Sequence, residues 1–342
     1  MTGRRGVQIT MAALLVVVAP GLATAGRERP HHLAATAEAL LALDVRPVAI
    51  GHRGSGANDP THASRPIENT VTSVRKAFEA GLTVIEIDVQ LTRDRHVVAY
   101  HDDVLSGTVT CINTLTLREL KARLPFIPTL QAVLDEARRF NQPAGPLRGI
   151  VIIELKAARP LCDPEDRQDR PMVDAATHVV RHMRMTQQVL FTSFSPAMLE
   201  LARIHAPEIA RILAVSGLQF LTEEEAAEQF DTTVTLIEKR HGVGLRWAEI
   251  GTLFRLPGYR CPAELVRTAL AVDARVVEAD LLILLLDPDA KELVQGLHDA
   301  GLKVFGFTVD DATQWTSLAS LGVDAIYTND IDIGLALQAF VP

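Results

Sequence analysis

Short runs of apolar residues recur along the chain, most of them separated by stretches whose apolar positions repeat at helical spacing. The extended runs are Pro47–Gly51, Thr83–Val89, Val97–Tyr100, Gly149–Leu155, Gln188–Phe194, Ala210–Val215, Arg275–Ala279, Lys303–Val309 and Ala325–Thr328. Helical patterns fall at Val71–Ala80, Leu130–Phe140, Val173–Met183, Ala197–His205, Ala290–Ala300 and Ala312–Leu321. Gly81, Gly301 and Gly322 sit just past three of these, where a helix stops. Near-continuous apolar strands alternating with helices predict a parallel sheet covered by helices. Repetition about eight times favours a (β/α)8 TIM barrel of the α/β class over an open sheet. Nine runs are one too many, so one is ancillary. The link Leu91–His96 is too short for a helix, yet about eight extended residues reach some 26 Å. We therefore expect the third run to return parallel to the second, which would bring His101 to the same rim as Asp88.

Ahead of the barrel, His31–Leu43 has apolar residues at helical spacing, so residues 26–46 form a helical lead-in and 47–342 the barrel domain. Residues 217–266 are longer than a normal connection. They contain a capping-box pattern at Thr222–Glu225 and a turn-rich stretch at Leu256–Pro262, and are expected as an insertion near the C-terminal rim of the strands. Leu281–Leu286 is far too short to span a bilayer and reads as core. The first 25 residues resemble a secretory signal: Arg4 and Arg5, then apolar Met11–Ala19, then Ala23-Thr24-Ala25 before Gly26. A membrane anchor is the rival, but the run is well short of the roughly 20 residues a span requires. The expectation is an exported protein, periplasmic or secreted, with no stable membrane anchor.

At 342 residues, 48% hydrophobic and 22% charged, the chain can bury a large core and is not disordered. A net charge of −8 argues against nucleic acid as a partner. Three cysteines, Cys111, Cys162 and Cys261, are too few for a disulfide scaffold. Cys111 with Cys162 is the preferred pair, and three free thiols is the alternative. Oligomeric state is not legible.

The candidate chemistry lies at strand ends. Glu86 and Asp88 are two apart on one strand, so both point to one side. Glu154 and Lys156 repeat the arrangement at the end of Ile150–Leu155. Three carboxylates make an oxygen-rich site suited to a divalent cation, Mg²⁺ or Ca²⁺, rather than zinc. The alternative is a buried ion-pair network with Arg53 and Lys156 and no metal. His52 and His101 close their strands, and two imidazoles flanking a scissile P–O bond can serve as base and acid. Arg53 stands where a guanidinium can grip a phosphate oxygen. Glu68 and Asn69 open the first helix; Asn69 or Thr70 could cap it, and Glu68 could steady Arg53 or a histidine.

In order, Gly51-His52-Arg53-Gly54, Glu68-Asn69-Thr70, Glu86-Ile87-Asp88, His101-Asp102 and Ile153-Glu154-Leu155-Lys156 resemble the glycerophosphodiester phosphodiesterase family. Thr192-Ser193-Phe194 and Gly322 through Asp330 agree, so the likeness runs from about Pro47 to Asp332. The resemblance implies a TIM barrel and a glycerol phosphodiester substrate. It also implies a catalytic pair in His52 and His101, metal ligands in Glu86, Asp88 and Glu154, and phosphate-facing cations in Arg53 and Lys156, with Glu68 supporting. The chain departs from the pattern in a long loop at Ser55–Ile67, in Asp94-Arg95-His96 before the third strand, in the brief Val104–Pro128, and in Phe307-Thr308-Val309-Asp310 where Trp-Thr-Val-Asn is usual. These departures bear on substrate identity.

The expected reaction is metal-dependent hydrolysis to glycerol 3-phosphate and an alcohol. The nucleophile is either water or the glycerol's neighbouring hydroxyl. A phospholipase-type enzyme acting on lysophospholipid or phosphoinositide is the alternative; Leu253, Phe254, Leu256 and Tyr259 would supply its apolar rim. A non-catalytic phosphodiester-binding protein is a more distant one.

Overall fold

The computed structural model describes residues 36–43, 47–57, 64–141, 149–158, 161–220, 259 and 261–338. Its strands are β1 (Val48–Gly51), β2 (Val84–Leu91), β3 (Val97–Ala99), β4 (Ile150–Leu155), β5 (Val189–Ser193), β6 (Ala210–Val215), β7 (Ala274–Asp280), β8 (Lys303–Phe307) and β9 (Ala325–Thr328). All but β3 pair in parallel around a ring that closes where β1 meets both β2 and β9. The architecture is a TIM barrel with one strand outside the ring.

Alternation along each strand builds two cores. Ile85, Ile87 and Val89 of β2 pack outward with Val74, Ala77 and Phe78 of the helix Val71–Ala80. Val84 points the other way, into an inner cluster with Val48, Ile50, Ile152, Leu190 and Ile212. The short helix Ala37–Leu41 adds Ala37, Leu40 and Leu41 to that inner cluster. Its Ala37 N–H donates to Gln187 O (2.7 Å), and Lys303 Nζ donates to Leu43 O (3.1 Å). Both contacts lie at strand beginnings, so this lead-in helix plugs the N-terminal end. The opposite end is left to polar residues.

Several elements differ from the sequence expectation. The third run does not return parallel: β3 pairs antiparallel with β2 (Val89 with Ala99, Leu91 with Val97). Thr92, Asp94 and His96 close the turn, with Thr92 Oγ1 donating to Asp94 Oδ1 (2.7 Å) and His96 N–H donating back to Thr92 Oγ1 (2.9 Å). The hairpin nevertheless delivers His101 to the right end, because β2 continues past Asp88 as far as Leu91 before the chain folds back. Tyr100 N–H donates to Asp88 O (3.1 Å), which sets the residue before His101 level with Asp88. Three further helices, Leu117–Arg123, Pro262–Ala271 and Ile331–Gln338, were not anticipated. The second of them absorbs the end of the supposed insertion, so 262–266 belong to a barrel helix. Of the lead-in, residues 36–43 fall among the described residues, and they hold the helix Ala37–Leu41. Leu281–Leu286 is core only in part: Ile283 and Leu284 are buried and Leu282 is exposed. The leader (1–25), Thr222–Glu225, Leu253, Phe254 and Leu256 lie outside the described residues.

Candidate active site

β2 and β4 lie side by side with Asp88 beside Glu154. Glu86 and Asp88 occupy inward positions of β2, above Val84, and one oxygen from each of Glu86, Asp88 and Glu154 lies within 4.8 Å of the others. Two cations reach this cluster. Lys156 Nζ stands 2.9 Å from Asp88 Oδ1 and 2.7 Å from Glu154 Oε1, and Arg53 Nε stands 3.2 Å from Asp88 Oδ2. Burial pushes the Asp88 carboxyl up, but Lys156 and Arg53 outweigh it and hold the group well below the usual range. Glu86 is less well served. Its Oε2 accepts the Arg53 N–H (2.9 Å), whereas Oε1 is buried and accepts no hydrogen bond from the described residues. Burial, then Asp88 and Glu154, push Glu86 well above the carboxylate range. Burial, opposed by Lys156 and reinforced by Asp88, pushes Glu154 up to about 7.

Among the described residues Glu68, Glu86, Asp88 and Glu154 face two cations, Arg53 and Lys156, so acids are in excess, and a buried carboxylate oxygen without a partner calls for one. A hard divalent cation suits this all-oxygen donor set. The ion pairs proposed for a metal-free network are present, but they leave Glu86 unsatisfied.

Arg53 and Asn69 both hold left-handed backbones (φ 54 and 57). Non-glycine residues adopt these reluctantly. Hydrogen bonds fix both: Asn69 N–H to Arg53 O (3.1 Å), Asn69 Nδ2 to Asp88 Oδ2 (2.8 Å), and Asp88 N–H to Asn69 Oδ1 (3.0 Å). Asn69 therefore orients Asp88. The capping role belongs to Thr70, whose side chain accepts the Ser73 N–H in a capping box. Glu68 accepts from Arg53 Nη1 (2.8 Å), so it steadies the guanidinium rather than a histidine.

Each histidine is anchored through Nδ1. His52 Nδ1–H donates to Asn329 Oδ1 (2.8 Å), and its Nε2 lies 3.9 Å from Glu86 Oε2. His101 Nδ1–H donates to Asp102 Oδ1 (2.7 Å), while Gln90 Nε2 holds the His101 carbonyl (3.1 Å). In both rings Nε2 is then the nitrogen left for proton transfer. Burial and then Arg53 lower His52 to about 3; burial and then Lys156 lower His101 to about 4.

The model of the glycerophosphoryl diester phosphodiesterase family matches residues 52–333. The chain belongs to this family. A glycerophosphodiester phosphodiesterase of Caldanaerobacter subterraneus subsp. tengcongensis is 25% identical over 301 residues, covering 84% of this chain and 95% of that protein. A glycerophosphocholine phosphodiesterase of Schizosaccharomyces pombe is 38% identical over 95 residues, which span 27% of this chain and only 8% of that longer protein. Among solved structures, a putative glycerophosphoryl diester phosphodiesterase from Silicibacter pomeroyi superposes with TM-score 0.64 at 20% identity, covering 89% and 97% of the two chains. An Oleispira antarctica phosphodiesterase in complex with sn-glycerol-3-phosphate gives 0.57 at 22%, covering 85% and 97%.

In this family member, the nine residues His52, Arg53, Glu68, Asn69, Glu86, Asp88, His101, Glu154 and Lys156 gather at one end of the barrel. Others join them to which the sequence reading gave no role. Asn329, Asp102 and Gln90 hold the histidines. Below the acids, Tyr327 donates its hydroxyl to Glu278 Oε2 (2.5 Å), and the Tyr327 ring meets His52 edge-on at 6.5 Å. Burial, eased by that hydrogen bond and reinforced by Glu154, pushes Glu278 up to about 8.

Two loops at this end are joined by the Cys111–Cys162 disulfide, and Cys261 is free and exposed. Asn113 Nδ2 donates to Cys162 O (2.8 Å) beside it. The long loop after Gly54 is pinned at its base by Ala57 N–H to Pro66 O (2.9 Å) and Glu68 N–H to Ala57 O (3.1 Å). Tyr259 is 4% exposed and packs on Phe220 at 5.6 Å, so it offers nothing to an apolar rim.

Proposed function

We propose that the protein hydrolyses glycerophosphodiesters to glycerol 3-phosphate and an alcohol, with His52 and His101 as its acid–base pair. The observation carrying this reading is two imidazoles, each Nδ1-anchored, beside three acids and two cations at one end of the barrel. Glu86, Asp88 and Glu154 would hold a divalent cation, Ca²⁺ or Mg²⁺. Such a cation, when bound, polarises a phosphate oxygen and offsets its charge. Arg53 and Lys156 meet the remaining phosphate charge.

The anchors divide the histidines' labour. Asn329 is a neutral amide, and burial and then Arg53 keep the His52 ring unprotonated, so its Nε2 lone pair is free to take the proton of the attacking hydroxyl. Asp102 is a carboxylate whose hydrogen bond raises the proton affinity of His101 against burial and Lys156, so once bound phosphate offsets the neighbouring cations His101 is the ring suited to hold a proton and give it to the departing alkoxide. The attacking hydroxyl is that of water or of the substrate's own glycerol.

Incubating the protein with glycerophosphocholine, glycerophosphoethanolamine and lysophosphatidylcholine, with Ca²⁺ or Mg²⁺, tests the reaction. We expect glycerol 3-phosphate from the deacylated diesters. Variants His52→Ala and His101→Ala should each lose about 10²–10⁴-fold in kcat. No glycerol phosphate from any diester would overturn the reading. Export rests on the leader pattern and is consistent with the disulfide, which persists in oxidising compartments. Cell fractionation tests it.

A further inference from the structure

We propose that Asp310 and Asn329 form an acid–amide positioning pair that dictates which nitrogen of His52 keeps its proton. The inference rests on His52 being the base. Asn329 offers two chemically opposite ends, a carbonyl that accepts and an amino group that donates, and either could face the His52 ring. Asp310 decides between them. Its Oδ2 accepts from Asn329 Nδ2 (2.7 Å), and a carboxylate can accept but never donate. The amino end is thereby drawn away, and Asn329 Oδ1 is left facing His52 Nδ1 at 2.8 Å. An acceptor there requires the proton on Nδ1, which leaves the Nε2 lone pair toward the acids, 3.9 Å from Glu86 Oε2.

The other carboxylate oxygen holds the strand end that carries Asn329. Asp310 Oδ1 accepts from Asn329 N–H (2.6 Å), Asp330 N–H (3.2 Å) and Thr328 Oγ1 (3.1 Å). The two backbone donors fix the orientation of the group at position 310, while the single Thr328 hydroxyl proton is shared with Asp330 O (3.1 Å). An amide placed there must present its oxygen to those backbone donors, and its NH₂ to Asn329. Two amino groups would then face one another. The cheapest relief is for Asn329 to turn over, which points its own NH₂ at His52 Nδ1 and moves the ring proton to Nε2. The base would then carry a proton where it needs a lone pair. Position 310 holds an acid where the family resemblance leads one to expect an amide, so this chain requires the amide at 329.

The test is a charge swap read in two ways. Asp310→Asn, Asn329→Asp and the double variant Asp310→Asn/Asn329→Asp are compared with the parent by ¹⁵N NMR of the His52 imidazole and by steady-state kinetics on a glycerophosphodiester. In the parent, Nδ1 should carry the proton and Nε2 should not. Asp310→Asn should invert that assignment and lower kcat by about 10²-fold, with KM changed by no more than about threefold. In the double variant, the amide introduced at position 310 donates to one oxygen of the carboxylate introduced at position 329. The other oxygen of that carboxylate accepts from His52 Nδ1. The original tautomer should return, and kcat should recover to within about tenfold of the parent. Residues that merely support the fold would not rescue one another by exchanging acid and amide. If Asp310→Asn does not fold, Asn329→Asp opposes two carboxylates and stands in its place, again with rescue by the double variant. An unchanged tautomer in Asp310→Asn, or a double variant no more active than the single ones, overturns the proposal. A parent inactive on every diester overturns the function instead, while the NMR comparison still decides the pair.

Discussion

Glu278 shows how one residue's burial becomes a property of the whole fold. Its pKa is pushed up to about 8, so the folded chain binds the proton more tightly than the unfolded chain, whose value is near 4.5. Its contribution to stability is therefore fully present below about 4.5 and is lost as pH rises through 8. We expect metal-stripped protein to lose stability relative to Glu278→Gln between pH 5 and 9, by at most about 5 kcal/mol. Denaturant titrations at several pH values check this, and parallel curves would refute it. At His101 the sign runs on activity. On the acid role proposed for His101, Asp102→Asn removes a hydrogen bond that raises the proton affinity of the ring, so the alkaline limb of kcat/KM should move to lower pH, and an unmoved limb would count against that role. The histidines, the acids and Arg53 were legible because such groups at the ends of apolar strands are costly unless used. The roles of Asn329 and Asp310 were not, although both lie in stretches the family likeness covers, since an amide and an acid in adjoining loops have ordinary surface explanations. Only their mutual geometry gives them a role.

At the scale of elements, alternating apolar runs with helical spacing between them announce the ring, and the helices Val71–Ala80, Leu130–Phe140 and Ala312–Leu321 have the bounds the pattern predicts. The β2–β3 link misled because length alone admits either a parallel return or a hairpin. The Thr92–Asp94 hydrogen bond that selects the hairpin is a side-chain contact without periodicity. The Cys111–Cys162 bond joins the loop after β3, which follows His101, to the loop after β4, which follows Lys156, across a separation of 51 residues. Closing a loop of that length removes about 4 kcal/mol of unfolded-state entropy. A Cys111→Ser/Cys162→Ser variant should therefore melt about 5–8 °C lower by calorimetry. An unchanged midpoint would mean that the bond does not constrain the chain in solution.

Across the whole molecule, the barrel divides its interior by depth. The plugged end is filled by apolar side chains, and the open end holds acids whose charges exceed the cations beside them. The first end stabilises the fold; the second costs stability and is tolerable only if something neutralises it. Glu86 measures that cost, with one buried oxygen unpartnered among the described residues and its proton affinity raised by burial, then by Asp88 and Glu154. A divalent cation that binds the folded barrel and not the unfolded chain must then raise the melting temperature. At one hundred times its dissociation constant it adds about 2.7 kcal/mol, or roughly 4 °C for a chain of this length. We expect EDTA-treated protein to show that rise with Ca²⁺ or Mg²⁺ in calorimetry. Glu86→Gln should abolish most of it while starting from an equal or higher metal-free midpoint, because a neutral amide is easier to bury than a third carboxylate. A Glu86→Gln protein that gains as much from the cation as the parent would place the ion elsewhere and leave the acids of β2 and β4 as an ion-pair network with Arg53 and Lys156.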